Sequence, residues 1–276
     1  MTNKSSRTDL AAEWAGRPDE APEGVLHQQH LRSGVPVQMV EITSPAAARR
    51  LGRPKGRYLT VETTSFFSPV RDLEAEARAL GEEMRALLPQ KGLVLAVGLG
   101  NRQITPDALG PEAVRKMLVT RHLGQHLSHI PGLGNLRPVA AIAPGVLGQT
   151  GVESAELVAA LTRSLSPAAV VVIDALAAAD PARLGQTVQL SDVGLVPGSG
   201  VANHRVGLTA ETLGVPVVAV GVPTVTEMTG GEATMVVTPR EIDQVITRAA
   251  SVIALGLGMA TQPGMSAEEL TALTAE

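Results

Sequence analysis

The chain has 276 residues, 44% of them hydrophobic and 18% charged. That is enough apolar length for a sizeable core, and it excludes a disordered chain. Aromatics make up only 1% and the net charge is -4, which argues against base stacking and against a broad phosphate-binding surface.

Cysteine is absent, so thiol nucleophiles, disulfides and cysteine zinc sites are excluded, and a reducing cytoplasm fits. The start leads into no secretory h-region, and no stretch reads as long enough to span a bilayer. Residues 1 to about 33 are polar with scattered Pro and Gly, and we expect an extended or partly mobile arm. Val35 to Ile42 alternates like a strand, and 46–51 suits a short helix stopped by Gly52 and Pro54. A second strand is expected at 57–63. Residues 72–88 place Leu73, Ala77, Leu80, Met84 and Leu87 at helical spacing behind an acidic first turn.

From there strands and helices alternate. Strands are expected at 93–98, 138–143, 169–174, 187–190 and 215–221, and helices at 111–128, 153–165 and 239–257. This order implies an α/β fold: a mostly parallel sheet with helices on both faces. Ser266 with Glu269 forms a capping box for a terminal helix. The arm thus precedes a single α/β domain over 34–260 and a tail over 261–276.

Two continuous apolar runs lead to aspartates. One is Leu93-Val94-Leu95-Ala96-Val97-Gly98, followed by Thr105-Pro106-Asp107. The other is Ala169-Val170-Val171-Val172-Ile173-Asp174. Such runs read as strands buried on both faces, and ligands of open α/β sheets bind beyond the carboxyl ends of the strands. Asp107 and Asp174 are therefore expected at one crevice, where close carboxylates split their pKa values into an acid and a base. Each also suits a helix cap or a turn. The backbone of Gly98-Leu99-Gly100 and Asn101 is a candidate oxyanion or substrate loop. Gly98-Leu99-Gly100 is a poor dinucleotide signature, because Gln103 stands where the third glycine belongs.

Ser199, within Pro197-Gly198-Ser199-Gly200, is a further loop candidate. It lacks the strand–turn–helix context of a nucleophile elbow, although His204 follows. His122, His126 and His129 share one face of the expected helix, without the H-E-x-x-H carboxylate. A solvated face explains them better. Asp192 ends a strand, either to orient the aspartate pair or to cap a turn.

Many blocks in this order resemble the germination protease family. They include Arg7-Thr8-Asp9-Leu10-Ala11, Gly52-Arg53-Pro54-Lys55-Gly56-Arg57-Tyr58 and Thr105-Pro106-Asp107-Ala108-Leu109-Gly110-Pro111. Ala143-Pro144-Gly145-Val146-Leu147-Gly148, Ile173-Asp174-Ala175-Leu176-Ala177-Ala178 and Glu211-Thr212-Leu213-Gly214-Val215-Pro216 follow. The resemblance implies an atypical aspartic endopeptidase that degrades small acid-soluble spore proteins at germination, with Asp107 and Asp174 as its essential pair. It implies a fold similar to hydrogenase-maturation peptidases and a homotetramer in the cytoplasm of the forespore and spore core. It implies a zymogen that cuts itself between Asp9 and Leu10, releasing 1–9 as a propeptide. No cofactor, nucleic-acid partner or membrane is expected.

The chain departs from the family's pattern at Ala179, at Gly185 and in a short 226–234 segment where family members carry a long insertion. Two other readings stay open. One is a metal-dependent or metal-sensing peptidase with Asp107, Asp174 and a histidine such as His122 as ligands. The other is a non-catalytic binding protein derived from the fold.

Overall fold

A computed structural model describes residues 8–15, 21–123, 136–196, 206–230 and 233–274. The N-terminal part carries α1 (Ala11–Trp14), the hairpin β1 (Val25–Arg32) and β2 (Val35–Ile42), α2 (Pro45–Leu51) and β3 (Gly56–Glu62). Then come α3 (Leu73–Leu87), β4 (Val94–Gly98), α4 (Leu109–Arg115), β5 (Val139–Ile142), α5 (Leu147–Thr150) and α6 (Ser154–Leu165). Next are β6 (Ala169–Ala178), β7 (Thr187–Ser191), α7 (Ala210–Leu213), β8 (Val217–Gly230) and β9 (Ala233–Val237). The long α8 (Ile242–Thr261) and α9 (Ala267–Thr274) close the chain.

Among the described residues the strands form one 9-stranded sheet in the order β1-β2-β3-β7-β8-β6-β4-β5, with β9 on β8. The α/β class is as the sequence implies, and the sheet is mixed. Strands β5, β4, β6 and β8 are parallel, whereas β1, β2, β3, β7 and β9 join antiparallel. Parallel strands buried on both faces need a helical cover on each side. On one face α3, α4 and α8 bury Leu80, Leu109, Val245 and Ile253 against Val171, Ile173 and Val220. On the other, α6 packs Ala155 and Val158 against Leu95, Val97, Val170 and Val172. With so few aromatics, the core is built from Val, Leu, Ile and Ala.

Several expectations need correction. Residues 25–32 are not part of an arm; they form β1. Ser33 and Gly34, both at positive φ (47° and 80°), turn it tightly into β2. The arm's earlier part is docked as well, since Leu10, Ala11 and Ala15 are buried. The helix expected at 111–128 ends at Arg115, because Thr120 and Arg121 turn their N–H groups onto Val139 O, at 3.0 and 2.9 Å. Helix α8 is long and apolar enough to cross a membrane by length and composition, contrary to the sequence reading; here it is mostly buried as the core helix. In place of a long insertion, the chain turns back from β8 into β9.

A carboxylate sits inside the α3 face of this core. Glu76 is 4% exposed; its Oε1 accepts the Thr64 N–H at 2.8 Å, and its Oε2 is buried without a partner. Burial raises its pKa above the usual carboxylate value, against the Thr64 hydrogen bonds. A group whose folded pKa lies above its unfolded one binds more protons when folded, so its contribution to stability grows as pH falls through the raised pKa. Urea unfolding should therefore show wild type gaining on Glu76→Gln from neutral to mildly acidic pH. A stability difference that does not change with pH would contradict this.

Candidate active site

Glycine geometry at the end of β4 positions Asp107. A Cβ on Gly98 would lie 2.2 Å from Gly110 O, and one on Gly110 2.3 Å from Leu99 O. Only glycines let the exit of β4 pass the first turn of α4 this closely. Gly100 takes φ 111°, and a Cβ there would lie 1.9 Å from Asp107 O. The chain returns through a 3-10 turn at Thr105–Asp107. Thr224 of β8 fastens that turn, its hydroxyl donating to Pro106 O at 2.8 Å.

The Asn101 N–H donates to Asp107 Oδ2 at 2.8 Å, and the Asn101 side-chain oxygen accepts from Gln103 N and Gln149 Nε2. The loop is thereby locked around the carboxylate. Two of its main-chain N–H groups are already engaged. The Leu99 N–H goes to Ile173 O at 2.8 Å, joining the loop to β6, and the Asn101 N–H holds Asp107.

Asp174 lies inside β6 itself. It is 8% exposed, its Oδ1 accepts the Ala175 N–H at 2.9 Å, and it is registered beside Gly221 of β8. A Cβ on Gly221 would meet Asp174 O at 2.7 Å and the Leu176 side chain at 2.6 Å, so only glycine fits there.

Asp107 and Asp174 line one cavity of about 550 Å³, together with Gly100. Gly98 and Asn101 support that wall from behind and do not line it. Ser199, His204, His126 and His129 fall outside the described residues. His122 is exposed and stands apart from the cavity, and among the described residues no three His, Cys, Asp or Glu groups converge on a metal position. The proposed Asp107–Asp174–His122 ligand set therefore does not form. Asp192 does not orient the pair either: its carboxylate accepts the Arg57 N–H at 2.7 Å and pairs with Arg57 Nε at 2.8 Å.

Sequence reasoning missed several cavity residues. Arg53, Tyr58, Gln189 and Thr224 line it, and so does Asp9. Tyr58 packs edge-on against Trp14, and its hydroxyl donates to Pro54 O at 2.8 Å. Burial pushes its phenol above the usual tyrosine range. The block Gly52 to Tyr58 carried no chemical signal of its own, because only β3's pairing and the docked α1 bring it to the crevice.

An α/β frame with a carboxylate-lined crevice where β4 ends beside β6 has the build of a hydrolase. Comparison with known proteins narrows this class. The germination protease family profile matches residues 6–230. The chain is 35% identical to the germination protease of Clostridium perfringens, covering 96% of this chain and 97% of that protein. It is 36% identical to that of Caldanaerobacter subterraneus subsp. tengcongensis, covering 97% of each. The chain belongs to the germination protease family and is a peptidase. Among solved structures, a [NiFe] hydrogenase maturation protease HycI from Thermococcus kodakarensis KOD1 matches at 19% identity and TM-score 0.38, over 64% of this chain and 99% of that one. At that level the likeness carries no argument about chemistry.

The loop geometry makes a direct prediction. Gly100→Ala should cost about 1–3 kcal/mol in denaturant unfolding, because a Cβ must displace Asp107 or strain the loop. It should also lower proteolysis by at least about ten-fold, through the displaced carboxylate. Wild-type turnover in the folded variant would detach the loop from the chemistry.

Proposed function

We propose that this peptidase is an aspartic endopeptidase of spore germination that degrades small acid-soluble spore proteins by water activation between Asp107 and Asp174. The observation that carries the reading is that both carboxylates line one cavity in a chain of this family. One carboxylate, ionised, takes a proton from water, which attacks the peptide carbonyl; the other, protonated, donates to the carbonyl oxygen or the leaving amine. Asn101 N–H fixes one oxygen of Asp107 and so orients it. The enzyme works as a homotetramer in the cytoplasm of the forespore and spore core.

The test is Asp107→Asn and Asp174→Asn, nearly isosteric changes that remove acid and base function. Each should lower cleavage of a small acid-soluble spore protein by about 10³-fold or more without loss of folding. Near-normal turnover in either would remove the mechanism. Activity should survive EDTA; loss on chelation with rescue by one metal would revive a metal-dependent reading.

The enzyme is made as a zymogen that cuts itself between Asp9 and Leu10. The seating of Asp9 on the wall of the same cavity supports this, as does its main-chain bond to β6. The segment is docked, so cleavage takes place on a bound chain and not on a free arm. Intact-mass measurement should find a mature N-terminus at Leu10 in wild type and none in Asp107→Asn. An unchanged mass in active enzyme would overturn the processing site.

A further inference from the structure

Strand β6 outruns its neighbour. β4 pairs with it only from Ala169 to Ile173, while β6 continues past Asp174 to Ala178. On the side away from β8, the edge from Ala175 to Ala178 and the Ala179–Asp180 bend after it have no strand partner among the described residues. An open edge beside a carboxylate pair is where an extended chain can add as a strand.

Residues 8–13 occupy this edge. Asp9 N–H donates to Ala177 O at 2.9 Å, and Ala177 N–H donates to Asp9 Oδ2 at 2.9 Å. The two Glu13 oxygens accept from Ala179 N–H at 2.8 Å and Asp180 N–H at 2.9 Å. Between them the Leu10 side chain, 1% exposed, fills an apolar pocket formed by Leu176, Ala178 and Leu184. Across the cleft, Arg53 stacks 5.6 Å above the Trp14 ring and donates to Thr8 O.

We propose that the edge of β6 from Ala175 to Ala178, together with the Ala179–Asp180 bend that follows it and with Arg53 facing them, is the polypeptide-binding track of this protease, and that residues 8–13 fill it in cis in the manner of a substrate. The inference rests on Asp107 and Asp174 being the catalytic pair. The track takes a segment that runs extended to Leu10 and then enters one helical turn, so that the carboxylates of Asp9 and Glu13 both reach it. Its N–H groups at 177, 179 and 180 bind acidic side chains, the Ala177 carbonyl takes a main-chain N–H, and Arg53 holds a carbonyl upstream. The N-terminal segment and a substrate therefore compete for one edge.

The experiment uses the full chain in an Asp107→Asn background, with a labelled peptide copying residues 6–15 as the probe. Glu13→Ala weakens the chain's own segment, and Leu10→Asp expels it. Either should tighten peptide binding by about ten-fold or more, because a blocked site lowers apparent affinity in proportion to its occupancy. The bound peptide should slow amide exchange at Ala177, Ala179 and Asp180. Adding Ala179→Pro, which removes one donor, or Arg53→Gln should each weaken the peptide about ten-fold, with Arg53→Lys retaining part of the affinity. Equal binding to blocked and unblocked chains, or binding without protection of those amides, would overturn the track. Failure of the catalytic reading would appear separately, as turnover of the peptide in Asp107→Asn.

Discussion

The crevice hangs on how closely the loop after β4 passes the first turn of α4. Three glycines set that distance: Gly98 and Gly110 face one another across it, and Gly100 curls over Asp107 in a backbone conformation that a side chain rarely adopts. Because the approach is main chain against main chain, no rotamer can relieve a Cβ placed there. The Leu99 N–H is then delivered to Ile173 O and the Asn101 N–H to the Asp107 carboxylate. One loop therefore ties the strand carrying Asp174 to the turn carrying Asp107. Thr224 of β8 secures the turn from its far side.

The same strands explain why the core can be almost free of aromatics. Side chains alternate along β6, so Val171 and Ile173 meet α4 and α8 while Val170 and Val172 meet α6. Small branched residues fill two thin interfaces at high density where a single thick one would need rings. At Asp174 the strand continues but the helical cover gives way to the crevice. Asp174 sits within the regular part of the β6–β8 pairing, before the register shift between Leu176 and Ala177, and a paired strand holds a carboxylate more rigidly than a loop can.

How much of this was legible in the sequence depended on where the deciding contacts lie. The runs at 93–98 and 169–174 are local patterns, so two buried strands leading towards Asp107 and Asp174 can be read directly; that the strands pair is a tertiary fact. β1 could have been found from Ser33-Gly34 between two runs that pair residue for residue, but three consecutive polar residues, His27, Gln28 and Gln29, put polar side chains on both faces and hide the alternation. The helix beyond Arg115 looked periodic and was overridden by main-chain bonds to Val139, a partner distant in sequence. A turn with free backbone N–H groups after a strand suggests an oxyanion loop at Gly98, Gly100 and Asn101, but the sequence does not reveal that the Asn101 N–H is taken by Asp107 six residues on. Nor could it show that β6 runs four residues past Asp174, since Ala175-Leu176-Ala177-Ala178 suits a helix start equally well.

The docked N-terminal segment also has an energetic logic. Holding residues 8–13 in one conformation costs about 1–2 kcal/mol per residue in backbone entropy. Against this stand the burial of Leu10, about 1.5–3 kcal/mol, and the bonds from Ala177, Ala179, Asp180 and Arg53, of about 1.5–3 kcal/mol each where a charged group takes part. Both sides come to roughly 10 kcal/mol, and a net preference of about 1.4 kcal/mol for the docked form of the segment is what a ten-fold competition requires. Its grip is concentrated in Asp9 and Glu13, whose carboxylates occupy donors that a continuous strand would meet with carbonyls. Severing the chain between Asp9 and Leu10 divides that grip in two. Each half keeps one carboxylate anchor, and the covalent connection that made the anchors act together is lost, so a chain with both anchors intact can displace either piece.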